Sequence, residues 1–254
     1  MVNALRLRQI CLVASHLEPA VGDIAAIMGL DVCHRDPNVA RYGLENALLP
    51  VDTILLEMVA PFQDGTAAGR FVEKTKGRGG YMAIFSCDDP RERQANAESM
   101  GVRVSHVIDR PPYLGVQLHP RDCRAAFIEF NHTAGSDNIR GAYPPAGPDW
   151  HKAIRSDVTK ALTEVVFTSP DPRGLAEHWS RIVGVSVSET KDAEACIALV
   201  NCTLRFIAGD AEVMSALTFR VANPDAVILA AKARGHAVTG NSLLLGGVDF
   251  HLTA

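Results

Sequence analysis

The sequence lacks an excess of basic charge: 25 Lys and Arg stand against 29 Asp and Glu, the formal net charge is -4 and the pI is near 6.1. A chain with that balance presents no positive field of the kind a phosphate backbone requires, so no nucleic acid partner is expected. It also lacks any uninterrupted apolar run of about 18 residues, so no segment is expected to span a membrane. The run ICLVA follows Arg6 and Arg8, but it is too short for the core of a secretory signal, and Glu18 and Pro19 come soon after it. The expected location is therefore cytoplasmic. The six cysteines, Cys11, Cys33, Cys87, Cys123, Cys196 and Cys202, include no CxxC pair. This spacing argues against a zinc site or a disulfide framework and for buried reduced thiols.

What the sequence does have is 47% hydrophobic residues over 254 positions, enough for one large core or two ordinary ones. Their periodicity repeats along the chain. A strand-like run over residues 5–14 is followed by helical spacing over 19–28, closed by Gly29, and then by strand-like runs at 30–34, 43–49 and 53–60. A helical connection at 65–76 and the glycines of KGRGG lead to YMAIFSC, where the pattern restarts. Pro90 opens a helix that Gly101 closes, and strands are predicted at 102–108, 115–119 and 125–131. Residues 132–158, rich in Gly and Pro with little apolar periodicity, read as a linker. A third unit begins at LTEVVFTSPDP, and a shorter fourth ends in VDFHLTA. The fold class expected is α+β, with four βαβββ modules in two pairs over residues 5–131 and 159–254.

Two carboxylates stand out against this pattern. In TILLEMVAP, Glu57 shares a strand face with Leu55 and Val59; in AAFIEF, Glu129 shares one with Ala125 and Phe127. A carboxylate between apolar neighbours loses solvation when covered, so it must line a cleft, bind a cation or have hydrogen-bond partners. Matching positions in two modules favour a functional pair over two side chains that face solvent across an open sheet.

The stretches LRQICLVASHLE, LPVDTILLEMVAP, EKTKGRGGYMAIFSCDD, GVRVSHVIDRPP and HPRDCRAAFIEF resemble the vicinal oxygen chelate superfamily, the group of glyoxalase I, bleomycin-resistance proteins, extradiol dioxygenases and methylmalonyl-CoA epimerase. Residues 5–131 are most similar to the epimerase. The resemblance implies that each pair of modules forms a curved mixed sheet around a cleft, and that metal-ligand positions fall on Gln9, Glu57, Met82 and Glu129. Two of these positions are histidine in the epimerases, and here they hold Gln9 and Met82. A thioether is a poor ligand for hard cations, so Met82 is expected to contact substrate or fill the core, with Tyr81 beside it as a second substrate contact. Gln9, Glu57 and Glu129 remain as oxygen ligands, suited to weakly bound Mg, Mn or Ca. None of the nine histidines takes a ligand position, which argues against a dioxygenase with its two-histidine, one-carboxylate iron. His16 is expected to cap the first helix or lie on the surface, and His119 to be structural. In the second half the equivalent positions are Glu164, Arg205, Ala216 and Asp249 or His251, where an internal ion pair is expected instead of a cation.

The reaction these features imply is proton abstraction beside a carbonyl of a small acyl or 2-oxo substrate, acyl-CoA being one form, with Glu57 or Glu129 as base: a lyase or isomerase. The competing expectation is a metal-free cleft that binds a small molecule, as bleomycin-resistance proteins do. The four modules allow either a monomer with internal pairing or a homodimer.

Overall fold

The computed structural model describes residues 5–135 and 138–254. Its framework is two mixed sheets, one of seven strands and one of eight. The first contains β1 (Arg6–Val13), β2 (Leu44–Val51), β3 (Ile54–Pro61), β4 (Met82–Ser86), β5 (Val104–Arg110), β6 (Tyr113–Leu118) and β7 (Phe127–Thr133), in the spatial order β2-β3-β1-β4-β7-β6-β5. That order is symmetric about the antiparallel β1–β4 pair except that the first module's side is one strand short. Each of these two strands has as its other neighbour a parallel strand, β3 or β7, from the end of its own module. The second sheet repeats the plan. Its centre is the antiparallel pair β8 (Thr159–Ser169) and β12 (Val213–Val221), flanked by β11 (Thr203–Ala208) and β15 (Val248–Thr253) as parallel partners. The strands β9 (Val187–Glu189), β10 (Ala195–Ala198), β13 (Val238–Thr239) and β14 (Ser242–Leu245) complete its two sides.

The α+β reading of paired βαβββ modules is therefore the architecture found, with one correction. Residues 30–34 do not form the expected strand but a single bridge, His34 to Leu48. The ladder stops there because the amide of Asp36 is taken by the Asn46 side chain at 2.8 Å, and Pro37 has no N–H to offer. The chain turns instead into a 3-10 segment, Pro37–Tyr42, that lies at the mouth of the first sheet's cleft.

The helices follow from their sequences in simple ways. Helix α1 (Leu17–Met28) buries Leu17, Val21, Ile24, Ile27 and Met28, one face of a 3.6-residue period, and ends on Gly29 in the left-handed conformation. His16 stands at its N-cap position, makes no capping bond through its side chain and is exposed, the surface role of the two expected. Helix α2 (Ala67–Thr75) starts on a Thr66 cap, and α3 (Pro90–Ser99) on Asp89, whose carboxylate accepts from the amides of Arg91 and Glu92. The short α4 (Pro120–Cys123) is capped by His119, which accepts from the Arg121 amide, the structural role expected of it. In the second half, α5 (Pro172–Val183) and α6 (Pro224–Ala233) both begin with Pro after a capping Asp171 or Asn223.

One apolar core runs through both halves. It takes alternate residues of each sheet, such as Ile10, Leu12, Leu56, Phe85 and Phe130 from the first and Val165, Phe167, Phe206 and Phe219 from the second, together with the buried faces of α1 and α5. The two sheets are also clasped by backbone. The Gly79 amide donates to the Gly247 carbonyl at 2.7 Å and the Gly80 amide to the Met214 carbonyl at 2.8 Å. Gly247 has a φ of +86°, and a Cβ there would come within 2.3 Å of the Gly77 carbonyl oxygen. Gly247→Ala is expected to cost more than about 1 kcal/mol, whereas Gly22→Ala, in a helix with nothing within 4 Å of the new methyl, should gain about 0.5–1 kcal/mol. Thermal unfolding of the two variants checks this: Tm should fall in the first and rise in the second, by about 2–4 °C per kcal/mol.

Candidate functional site

The face of the first sheet turned away from the core is concave and partly polar. On β1 a register shift between Leu7 and Gln9 marks a bulge: Leu7 stays in the core, while Arg8 and Gln9 both turn towards the cleft. Glu57 on β3 lies directly opposite Cys11, and Gln9, two residues along, donates from Nε2 to Glu57 Oε2 at 2.8 Å. From the other side Asn46 on β2 donates from Nδ2 to Glu57 Oε1 at 2.6 Å. The Asn46 carbonyl oxygen already accepts the Asp36 amide, so the orientation of this amide is fixed: its NH2 must face Glu57.

Glu129 is held by a different device. On β6 the residues Tyr113, Gly115 and Gln117 share one face, and the carboxylate of the neighbouring β7 lies over the glycine. Tyr113 donates its hydroxyl to Oε1, and Gln117 donates Nε2 to Oε2 at 2.8 Å. A Cβ on Gly115 would meet Glu129 Oε1 at 3.0 Å, so the glycine leaves the space in which the carboxylate rests. Both carboxyl groups are buried, Glu57 at 8% and Glu129 at 2% exposure, which rules out the reading in which they simply face solvent.

Above this floor is a cavity of about 340 Å³. Its walls are Cys11, Leu44, Val59, Met82, Ile84, Ile108 and the ring pair Tyr81–Phe127, whose centroids are 4.8 Å apart. Gln9, Glu57, Glu129, Tyr81 and Met82 thus all line one space. Tyr42 lines it as well, whereas Arg70 does not: its guanidinium is turned back to the Gly65 carbonyl.

The Gly- and Pro-rich stretch read as a linker supplies part of the site. Tyr143, Pro144 and Pro145 line the cavity, and the Tyr143 hydroxyl donates to Gln9 Oε1 at 2.9 Å. Tyr143 and Trp150 are both buried, and the Arg8 guanidinium lies 4.4 Å from one ring and 4.8 Å from the other. Arg8 completes its bonding with the carbonyls of Thr53 and Ile139. Composition hid this segment, but two large aromatics seven residues apart in an otherwise small-residue stretch were a usable signal that it docks.

Burial dominates the electrostatics. It pushes the carboxyl groups of both Glu57 and Glu129 above the ordinary carboxylate range, against donors that pull them down; the nearby Glu57 charge raises Glu129 further. The phenols of Tyr113 and Tyr143 and the thiol of Cys11 are raised by the same burial and by the two carboxylates. A carboxyl with a raised folded-state pKa contributes stability that is present below its unfolded pKa and is lost as pH rises through the folded value. Replacing both glutamates by Gln should therefore flatten the fall of Tm as pH rises above the ordinary carboxylate range, which parallel thermal melts of the native and doubly substituted chains will show.

The second sheet carries no such floor. Arg205 lies 3.5 Å from Glu164 and 2.9 Å from Glu194, and Thr218 donates to Glu164 at 3.1 Å, so the expected ion pair is formed and extended. Among the described residues no three of His, Cys, Asp and Glu converge as a metal-binding group, and no helix is long and apolar enough to cross a membrane. In the first cleft the four positions where ligands were expected hold a thioether, an amide oxygen engaged by Tyr143, and two carboxylates whose every oxygen already accepts an N–H or O–H. A divalent cation does not fit this set as it is arranged, because it would have to displace those donors and no imidazole is there to replace them.

No protein-family model matches the sequence, and no curated protein is significantly similar to it. Solved structures do match in fold. A Staphylococcus aureus protein described as hypothetical aligns over 98% of this chain and 98% of its own, with a TM-score of 0.68 at 14% identity. The Mn(II)-bound glyoxalase from Novosphingobium aromaticivorans aligns over 99% of this chain and 82% of its own, with a TM-score of 0.65 at 12% identity. A variant of Streptomyces coelicolor methylmalonyl-CoA epimerase, in complex with 2-nitronate-propionyl-CoA, aligns over 53% of this chain and 99% of its own at 24% identity and a TM-score of 0.46. With the paired modules, the matching plans of the two sheets and two matches over nearly the whole chain in hand, the chain has a glyoxalase-like fold.

Proposed function

We propose that the first cleft binds a small carbonyl compound and moves a proton at the carbon beside that carbonyl, the chemistry of an isomerase or lyase, with Glu129 as the base. The observation that carries this reading is the pair of buried carboxyl groups, both with pKa values raised by burial, on the floor of one cavity. A carboxylate whose pKa lies above the ordinary range is a stronger base near neutral pH than one in water. Glu129 suits the role better than Glu57. Each accepts from two side-chain donors, but Glu129 is the more fully covered, 2% exposed against 8%, and the Glu57 charge beside it raises it further. Desolvation and a neighbouring like charge both disfavour the ionised form and so make the group more basic.

The developing oxyanion would be met by neutral donors. Gln9, Asn46 and Gln117 each give one N–H to a carboxylate and keep a second N–H on the same nitrogen. Oriented amide N–H groups in a site with little water are effective partners for charge that appears only in the transition state. This polarisation uses only the chain's own residues. The metal-free reading also accommodates simple binding without turnover, which the fully bonded carboxylates favour.

Incubation with 4-oxopentanoate or phenylacetone in D2O, followed by proton NMR, separates the two. Catalysed loss of the signal beside the carbonyl supports proton transfer, and Glu129→Gln should slow it by about 10²–10⁴-fold. That variant is expected to fold, since Gln117 can turn its amide over to accept. The exchange rate should rise with pH as Glu129 ionises, with a midpoint above the ordinary carboxylate range, and Glu57→Gln should move that midpoint to lower pH by removing one cause of the shift. Binding of the compounds with no exchange at any pH would leave a binding protein.

Titration with Mg, Mn or Ca should leave Tm unchanged. A saturable rise in Tm with Mn, lost in Glu129→Gln, would put a cation back into the cleft and overturn the metal-free reading.

A further inference from the structure

The charges around the cavity are sorted by depth. Its floor carries Glu57 and Glu129, and the other charged residues that line it are Arg41, Arg110 and Asp36, two cations against one acid. Both arginines are exposed, and they come from opposite sides of the opening. Arg41 belongs to the 3-10 segment that leads into β2, one edge strand of the sheet, and Arg110 ends β5, the other edge strand.

Neither arginine makes an ion pair among the described residues. Arg41 lies 4.7 Å over the Tyr42 ring, and Arg110 donates to the neutral Asn38 side chain at 3.2 Å. The nearby acids are engaged elsewhere. Asp36 accepts from the backbone and side-chain nitrogens of Asn38 at 2.9 and 2.7 Å, and Asp109 pairs with Arg91 at 3.0 Å.

We propose that the cavity selects a small amphipathic anion, a carboxylate or sulfonate on an apolar body, whose charged group is held at the mouth by Arg41 and Arg110 and whose uncharged end lies on the amide-lined floor. Charge fixes the orientation. An anion placed on the floor would sit beside two carboxyl groups with no lining cation to offset them, whereas at the mouth it meets two guanidinium groups that offer forked donors from both sides. The apolar walls between these levels, including Met82, Ile84 and Phe127, account for the body of the ligand. The inference rests on the cleft being a ligand site, as proposed above, and goes beyond it in assigning the charge and direction of what enters.

Two dyes with the same aromatic body test it: 1-anilinonaphthalene-8-sulfonate, and the uncharged N-phenyl-1-naphthylamine. The folded chain should bind one of either, in competition with each other. Changing Arg41 and Arg110 together to Gln should weaken the sulfonate by about tenfold or more and abolish its salt dependence, while the uncharged dye stays within about twofold. Equal affinities before and after the substitutions, or an equal loss for both dyes, would overturn the anion subsite and leave the cavity standing. If neither dye binds the native chain, the ligand-site reading fails, and this inference with it.

Discussion

Two carboxyl groups on the floor of an apolar sheet set a constraint that the surrounding structure satisfies residue by residue. Leaving a buried carboxylate without partners costs several kcal/mol, so each must be met by donors with correct geometry. The donors come from neighbouring strands of the same sheet, Gln9, Asn46, Tyr113 and Gln117, and from outside the sheet through Tyr143, which fixes Gln9. Each solution imposes a further one. Asn46 can face Glu57 because the Asp36 amide occupies its oxygen, and that bond is also what ends the short bridge at His34 and starts the 3-10 segment at the mouth. Tyr143 can reach Gln9 because the bulge at Arg8 provides a cation for its ring to rest on. The cavity's mouth and its closed end thus both follow from how two acids are kept satisfied.

The two halves show what the same fold does when that constraint is answered with charge. At the position matching Gln9 the second half has Glu164, and at the position matching Glu57 it has Arg205, so the acid meets a guanidinium. Arg205 also reaches Glu194, and the three side chains compensate one another on the open face of the sheet. Half-exposed charges of this kind need no depth and contribute little net stability. The first half instead uses uncharged amides and phenols, which neutralise nothing and so leave the carboxyl pKa values governed by burial. One half therefore keeps titratable groups in a dry cleft, and the other has traded them for an internal ion pair.

Periodicity and turn residues made the module pattern legible before any contact was known. Gly29, Pro90 and Pro172 delimit helices through local backbone chemistry, which acts within a few residues of the chain. Glu57 and Glu129 were legible for a similar reason, as single polar positions in apolar strands. What was not legible depended on long-range pairing. Nothing local in residues 30–34 says that the ladder will end at Asp36, whose amide is taken by an Asn side chain ten residues further on. The Gly- and Pro-rich segment was misleading because those residues mark loops wherever they occur, and a loop's destination is decided by its few large side chains, here Tyr143 and Trp150. The Tyr-x-Gly-x-Gln cradle for Glu129 was visible as letters, but its meaning requires knowing that β6 is the neighbour of β7.

The same long-range logic bears on what Gln9 and Met82 do at the positions where the resemblance implies ligands. A metal site needs its ligands unoccupied until the ion arrives, so partners that satisfy the carboxylates from within the protein compete directly with a cation. Once Asn46, Gln117 and Tyr113 supply that satisfaction, histidines at Gln9 and Met82 would have no shared ion to hold. An amide at the first position can instead join the network by donating to Glu57 and accepting from Tyr143. At the second, a thioether fits the apolar wall beside Phe127 and Ile84. Gln9 and Met82 thus serve one arrangement, a floor held together by hydrogen bonds beside an apolar wall.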